Sequence, residues 1–231
     1  MRALLVVLLA GAASLGAQAT PGGKARTYRD LPVTLSASKL TPLQAILRIA
    51  AENRIPLGIV VGTRPSLCGS HNDFNIHEAG AWDAFEEVVA GTGYEVTFED
   101  NVFVIRAPDT TEHEVDLLHH RFERFGTSGK DTISGAGEWL SGYILTVEGA
   151  SGIGGEHMFD PDEPTVTIKM EEATTEQIAN RIVSSGDKGV WVFRPTPEGS
   201  TTTSAIETLA YKWNQHDLDR AGCEDAFAAV P

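Results

Sequence analysis

The sequence predicts an α+β protein built from two small domains, each a short sheet covered by two amphipathic helices. Strand-like and helix-like hydrophobic periods alternate through residues 31–106 in the order β-α-β and then β-α-β-β. The order of strand, capped helix and strand returns after residue 115. A hydrophobic content of 42% in 231 residues is typical of a globular chain with room for two such domains.

The first predicted domain spans residues 31–107 and opens with a β-α-β unit. Residues 31–36 alternate apolar and polar side chains, which predicts a strand. Thr41, followed three positions later by Gln44, predicts a capped helix that should end near Asn53. Residues 57–61 are a continuous apolar run, which predicts a short buried strand.

A second unit of the same kind follows. Residues 74–76 alternate in the manner of a strand. Apolar side chains recur at helical spacing over residues 81–89, and Gly91 is expected to end that helix. Residues 94–98 and 102–105 predict two strands joined as a hairpin.

The second predicted α/β domain spans residues 115–198 and follows a polar boundary segment. Residues 117–125 are compatible with either a strand or a helical turn. Residues 165–170 predict a strand, Thr174 begins a second predicted capped helix, and residues 190–193 predict the closing strand.

The segment 136–148 admits two interpretations. Trp139, Tyr143 and Val147 recur every four positions, which suits a helix. Tyr143, Leu145 and Val147 also alternate, so a strand stays open.

The two domains share one spaced pattern, Thr-x-x-Gln-x-x-x-Arg-Ile, which begins at Thr41 and again at Thr174. This echo favours two related domains, of which the second is a degenerate copy of the first.

Residues 199–231 are predicted to be a helical tail. Ser204 and Glu207 have capping-box spacing, and an apolar stripe continues from Ile206 to Trp213.

The N-terminus has the pattern of a secretory signal peptide over residues 1–19. Arg2 precedes an apolar run that is too short for an ordinary membrane span, and a small-x-small site ends at Ala19. Residues 20–30 are a polar, glycine-containing linker. Cleavage after Ala19 predicts a periplasmic or secreted protein without membrane insertion.

The net charge narrows the classes of binding partner, and the cysteine content suggests a disulfide. The net charge is −14, and removal of one arginine with the signal peptide makes it −15. Nucleic acid and anionic membrane surfaces are therefore not expected to bind. Cys68 and Cys223 are the two cysteines, and in an exported protein they are a candidate disulfide.

Three motifs in the first domain carry a family resemblance. They are Leu40-Thr-Pro-Leu-Gln-Ala-Ile46, Ile55-Pro-Leu-Gly58 and Ala84-Phe85-x-x-Val88-Val89-Ala-Gly-Thr-Gly-Tyr94. Residues 31–106 thereby resemble the short N-terminal domain shared by secretins and TonB-dependent receptors. The resemblance implies two β-α-β units packed pseudo-symmetrically, no catalysis, and a periplasmic role in contacting an envelope protein. No ring-domain, plug or barrel pattern follows, so pore formation and transport are not expected.

Other classes of function stay open as alternatives. A secreted metal-dependent hydrolase would draw on the histidines and aspartates of the second half, because such side chains suit Zn²⁺. These residues are His113, His119, His120, His157, Asp116, Asp160 and Asp162. A small-ligand or glycan binder would use the glycine-rich loop after residue 148 together with tryptophans. No catalytic or cofactor motif is predicted, and Trp82 is the candidate interaction residue if it is exposed.

Overall fold

A computed structural model describes residues 27–62, 66–149, 163, 165–185, 188–194 and 204–210. The strands and α-helices of these residues follow the order β1 (Pro32–Leu40), α1 (Pro42–Asn53), β2 (Leu57–Val60), β3 (Asn72–Gly80), α2 (Ala81–Val89), β4 (Glu95–Glu99), β5 (Val102–Arg106), α3 (Glu112–His119), β6 (Arg121–Gly126), α4 (Ile133–Val147), β7 (Lys169–Thr174), α5 (Thr175–Val183), β8 (Gly189–Arg194) and β9 (Ala205–Ala210). The predicted α+β class is confirmed. Within the described part of the chain, none of the helices combines the length and apolar composition needed to cross a bilayer.

The central sheet contains five strands in the order β4-β5-β2-β8-β9. The middle strand, β2, pairs in parallel with β5 and with β8, whereas β4–β5 and β8–β9 are antiparallel pairs. Two smaller antiparallel sheets, β1–β3 and β6–β7, lie apart from it.

The central sheet separates two hydrophobic cores, because side chains along a strand alternate between its faces. Leu57, Ile59 and Phe103 enter the first core together with α1, α2 and the β1–β3 sheet. Val60 and Trp191 enter the second core together with α4, α5 and the β6–β7 sheet. The layers are therefore a two-stranded sheet, a helix pair, the central sheet, a second helix pair and a second two-stranded sheet.

The small sheet β1–β3 shows an internal symmetry. Each strand has a residue of positive φ three positions before its helix begins, Lys39 (φ 58°) in β1 and Glu78 (φ 48°) in β3. The N–H of Lys39 donates to Asp73 Oδ1 at 3.1 Å, and the N–H of Glu78 donates to Thr34 Oγ1 at 3.2 Å. Each strand therefore satisfies the bulge of the other, and the two bulges have equivalent positions before their helices. Glu172 of β7 has the same place before α5, with φ 49°.

The prediction that each half has a sheet of its own is wrong for the central sheet. Leu57 of β2 lies beside Val190 of β8, which belongs to the second half. All four residues of β2 are buried, so the strand needs partners at both edges and cover on both faces. A Cβ added to Gly58 would lie 2.3 Å from Trp191 Cε2, so the indole occupies space that glycine leaves open.

A partly buried ion pair also joins the halves. Arg106, at the end of β5, donates from Nη2 to both carboxylate oxygens of Glu176 at 3.0 Å. Glu176 lies in the first turn of α5, and its side chain is 8% exposed. Removing the arginine would leave a buried carboxylate without its counter-ion.

The predicted helical tail is wrong within the described residues 204–210, which form β9 instead. Ile206 and Thr208 are buried while Glu207 is exposed, so these residues follow the period of a strand. The Thr208 hydroxyl donates to the Ile133 carbonyl at 2.6 Å, which fixes the strand beneath α4. Pairing with β8 thus overrides the local capping-box pattern. The rest of the predicted tail, including Trp213, lies outside the described residues.

The structure also decides the remaining predictions about secondary structure. The ambiguous segment 117–125 contains both the end of α3 and most of β6. Of the segment 136–148, residues 136–147 lie in the helix α4. The predicted strand at 165–170 is displaced: Thr165 forms only an isolated bridge to Thr132, and β7 begins at Lys169. The capping boxes predicted at the starts of α1 and α5 are confirmed.

Candidate contact surface

Three large hydrophobic side chains are exposed in the described part of the chain, and all three lie on α4. Trp139 is 60% exposed, Tyr143 44% and Val147 40%. They are four positions apart and therefore form one row along the helix. The opposite row is buried in the second core and consists of Ile133, Ala136, Leu140 and Ile144.

Helix α4 is positioned by its first two turns. The Thr132 hydroxyl accepts a hydrogen bond from the Gly135 N–H at 3.1 Å, which caps the helix. A Cβ added to Gly137 would lie 2.0 Å from Thr208 Oγ1, so this glycine lets the helix approach β9 closely. Close packing on β9 fixes which row of α4 faces outward.

Trp139 is held in place by a charged neighbour. Its Nε1–H donates to Asp131 Oδ1 at 3.3 Å, while the Ser128 N–H and hydroxyl donate to Asp131 Oδ2 at 2.6 and 2.8 Å. Partial desolvation raises the pKa of Asp131, but the hydrogen bonds from Ser128 and Trp139 outweigh it and lower the pKa below its ordinary value. The ionised carboxylate therefore orients an exposed indole.

Tyr143 extends the exposed row onto β6. Its ring centroid lies 5.5 Å from that of Phe122 and 6.1 Å from that of Phe125. Phe122 is half-buried and contacts the His120 ring at 5.0 Å, whereas Phe125 is buried. We name Trp139, Tyr143, Val147 and Phe122 the α4 surface.

Trp82, the residue predicted as a candidate interaction site, has a different environment. It is half-buried and packs against the first core, with its ring centroid 6.3 Å from that of Phe103. The Arg29 guanidinium lies 4.3 Å from the indole centroid on the outside. This cation–π contact covers part of Trp82, and the large exposed side chains lie on α4 instead.

The histidines of the second half are dispersed. His113 Nε2 lies 3.5 Å from Glu148, and His119 Nε2 lies 4.0 Å from Glu176. The His120 ring contacts Phe122 of β6 edge-on, and Asp116 is exposed. No group of three or more potential metal ligands occurs among the described residues. Three candidate ligands lie outside the described residues, namely His157, Asp160 and Asp162.

A concave surface of about 490 Å³ lies between the β6–β7 sheet, α5 and the β4–β5 turn. Its lining includes Arg121, Arg181, Glu171, Glu172 and Asp100, all of them exposed. Arg121 already donates to the Glu172 carbonyl at 2.7 Å. Because its charges are mixed and its side chains are exposed, this surface is a weaker candidate for a binding site than the α4 surface.

Cys68 lies in a short 3-10 turn, Ser66–Cys68, that packs against the first core. No free cysteine occurs among the described residues. Cys223, its predicted partner, lies outside them.

Comparison with known proteins names no family for this chain. It matches no protein-family model, no curated protein and no solved structure. The α4 surface was not identified as a site from the sequence. The four-residue spacing of Trp139, Tyr143 and Val147 was visible there, but their exposure depends on which row of α4 faces the core.

Proposed function

We propose that this chain is an exported, non-enzymatic contact module of the periplasm, similar to the short N-terminal domain of secretins and TonB-dependent receptors. The observation that carries the proposal is the α4 surface, where Trp139 and Tyr143 project from one rigid helix. Tryptophan and tyrosine are the side chains most enriched at the energetic centres of protein interfaces.

Two further features support the proposal. The matching bulges of the antiparallel strands β1 and β3 support the pseudo-symmetric packing of two β-α-β units that the resemblance implies. The signal-peptide pattern over residues 1–19 predicts export of the mature chain to an oxidising compartment, which is where the candidate Cys68–Cys223 disulfide would be stable. The partner is then an envelope protein, and the exposed aromatic row is the surface that it covers.

Site-specific photo-crosslinking in the producing cells tests the proposal. A photoreactive amino acid at Tyr143 should give one discrete adduct with an envelope protein. The matched control is Arg48 on α1, whose side chain is 47% exposed but belongs to a charged surface. No adduct from position 143, or equal adducts from both positions, contradicts the proposed role of the α4 surface.

A further inference from the structure

The concave surface beside α5 is large enough to hold a small molecule. Its volume of about 490 Å³ lies within the range of sites that enclose small ligands. Gln177, Arg181 and Ser184 line it from α5 and its C-cap, and they recur at helical spacing on the outward face of the helix. The β6–β7 sheet contributes Arg121 and the acidic part of β7. We name this cavity the α5 groove.

Two guanidinium groups in the α5 groove have no carboxylate partner. Arg121 Nη1 donates to the main-chain carbonyl of Glu172 at 2.7 Å. A carbonyl has no net charge, so this bond orients the guanidinium and leaves its positive charge uncompensated. Arg181 lies in the last turn of α5. Within the described part of the chain, neither arginine forms an ion pair. Both side chains are therefore available to a carboxylate of a ligand, which suits the planar fork of arginine.

Three carboxylates line the same groove, from Glu171 and Glu172 on β7 and from Asp100 in the turn between β4 and β5. Glu171 lies opposite Arg124 on β6. The ion pairs formed among the described residues nevertheless include none of these acids. The groove thus presents uncompensated charges of both signs.

The charge of the whole chain decides between classes of ligand. A simple anion would be repelled by a protein of net charge −14, even though two arginines line the groove. A simple cation would meet both guanidinium groups in the same cavity. A molecule that has an ammonium group and a carboxylate, and no net charge, avoids both penalties. The α5 groove therefore favours a zwitterion.

The uncharged part of the lining suits a peptide. Met170 is half-buried and Ala173 is 5% exposed, so the groove has an apolar portion. The exposed Gln177 side chain has an amide that can donate one hydrogen bond and accept another. A peptide group needs one acceptor and one donor, and the small side chains of a peptide can lie against methionine and alanine.

We propose that the α5 groove binds a short peptide with free termini. The peptide carboxylate contacts Arg121 and Arg181, its ammonium group contacts the acids of the groove, and Gln177 bonds to a peptide group between them. The α5 groove shares no residue with the α4 surface. This binding site therefore goes beyond the proposed contact function.

Nuclear magnetic resonance titration of the full mature chain with dialanine and trialanine tests the proposal. The backbone amide signals of Glu171, Gln177 and Arg181 should shift and saturate in the millimolar range, because the lining is exposed to water. N-acetyl-dialanine lacks the ammonium charge, and dialanine amide lacks the carboxylate charge. Each should bind at least about tenfold more weakly than dialanine, since each loses charge-assisted hydrogen bonds.

Two arginine variants separate binding from stability. Arg181→Gln should weaken dialanine binding at least about tenfold and leave thermal unfolding unchanged, because the guanidinium forms no ion pair with the described residues. Arg48→Gln is the matched control on α1, where Arg48 is 47% exposed and pairs with Glu52. It should leave dialanine binding unchanged.

Three results would overturn the proposal. They are the absence of a saturable shift with both peptides, equal affinity for dialanine and its capped forms, and equal effects of the two arginine variants on binding. The crosslink from Tyr143 is independent of these results. If that crosslink forms and the α5 groove binds no peptide, the contact function stands without this site. If the groove binds dialanine and Tyr143 gives no adduct, the peptide site stands and the contact function fails.

Discussion

The two helix layers of this protein share a plan but differ in how they meet solvent. In the α1–α2 layer, the large aromatic Trp82 packs on the core and is covered by Arg29. In the α4–α5 layer, Trp139 and Tyr143 remain exposed on α4, whose opposite row is buried in the second core. The central sheet repeats the contrast, because β5 has a partner on each side and β9 has one among the described residues. Among the described residues, the large exposed hydrophobic side chains therefore lie on the second half.

The two halves share the central sheet, and the variant with the largest expected loss of stability tests whether they fold as one unit. Gly58→Val should lower the free energy of unfolding by about 3 kcal/mol or more, because its Cβ would collide with Trp191. Urea denaturation measures it. Gly142→Ala is the control, since a Cβ there meets nothing within 4 Å, and it should stabilise the helix by about 0.5–1 kcal/mol. Unchanged stability of Gly58→Val would break the claim of a shared sheet.

The ion pair between the halves gives the next effect. Arg106→Ala should lower the free energy of unfolding by about 2–3 kcal/mol, since Glu176 is 8% exposed and loses the guanidinium nitrogen that donates to both of its oxygens. Arg48→Ala removes an exposed pair with Glu52 and should change stability by under about 0.5 kcal/mol. Thermal unfolding of both variants measures the two losses of stability. Equal losses would mean that the Arg106–Glu176 pair contributes no more than an exposed ion pair.

Trp82 and Trp139 test the difference in exposure between the two helix layers. Trp82→Ala should reduce stability by about 2 kcal/mol and leave the Tyr143 crosslink unchanged, because Trp82 packs on the core. Trp139→Ala should change stability by under about 1 kcal/mol and reduce crosslink yield at least about tenfold. Chemical denaturation and crosslink quantification give the two values. If Trp82→Ala lowered the crosslink yield and Trp139→Ala lowered stability, Trp82 would be the contact residue and Trp139 the core residue.

The smallest effect concerns the carboxylate that orients Trp139. The pKa of Asp131 is lowered in the folded protein, so its contribution to stability is present above the unfolded pKa and is lost as pH falls through the folded pKa. Because the group is largely solvated, screening keeps that contribution small. The carboxyl carbon shift of Asp131 should titrate below its ordinary range. Because Trp139 donates to this carboxylate, its fluorescence should change as Asp131 is protonated, and Asp131→Asn should abolish that change. Titration at or above the ordinary value would contradict the hydrogen-bond network.

Local patterns account for the predictions that were confirmed. Thr41 and Thr174 each have a glutamine three positions later, and both capping boxes form. Each box is satisfied within one turn of helix and does not depend on distant residues. Ser204 and Glu207 have compatible spacing but lie in a strand, because pairing with β8 and the bond from Thr208 to Ile133 outweigh a local cap.

The sequence by itself determined the α+β class, the starts of α1 and α5, the hairpin of β4 and β5, and the net charge of −14. These depend on periodicity, capping and composition, which act over a few residues. Only the tertiary structure decided that the halves share one sheet through Gly58 and Trp191, and that α4 turns Trp139 outward. Both depend on contacts between residues far apart in the chain. Hydrophobic burial is non-directional, so the sequence pattern alone does not specify which apolar surfaces meet and which remain exposed.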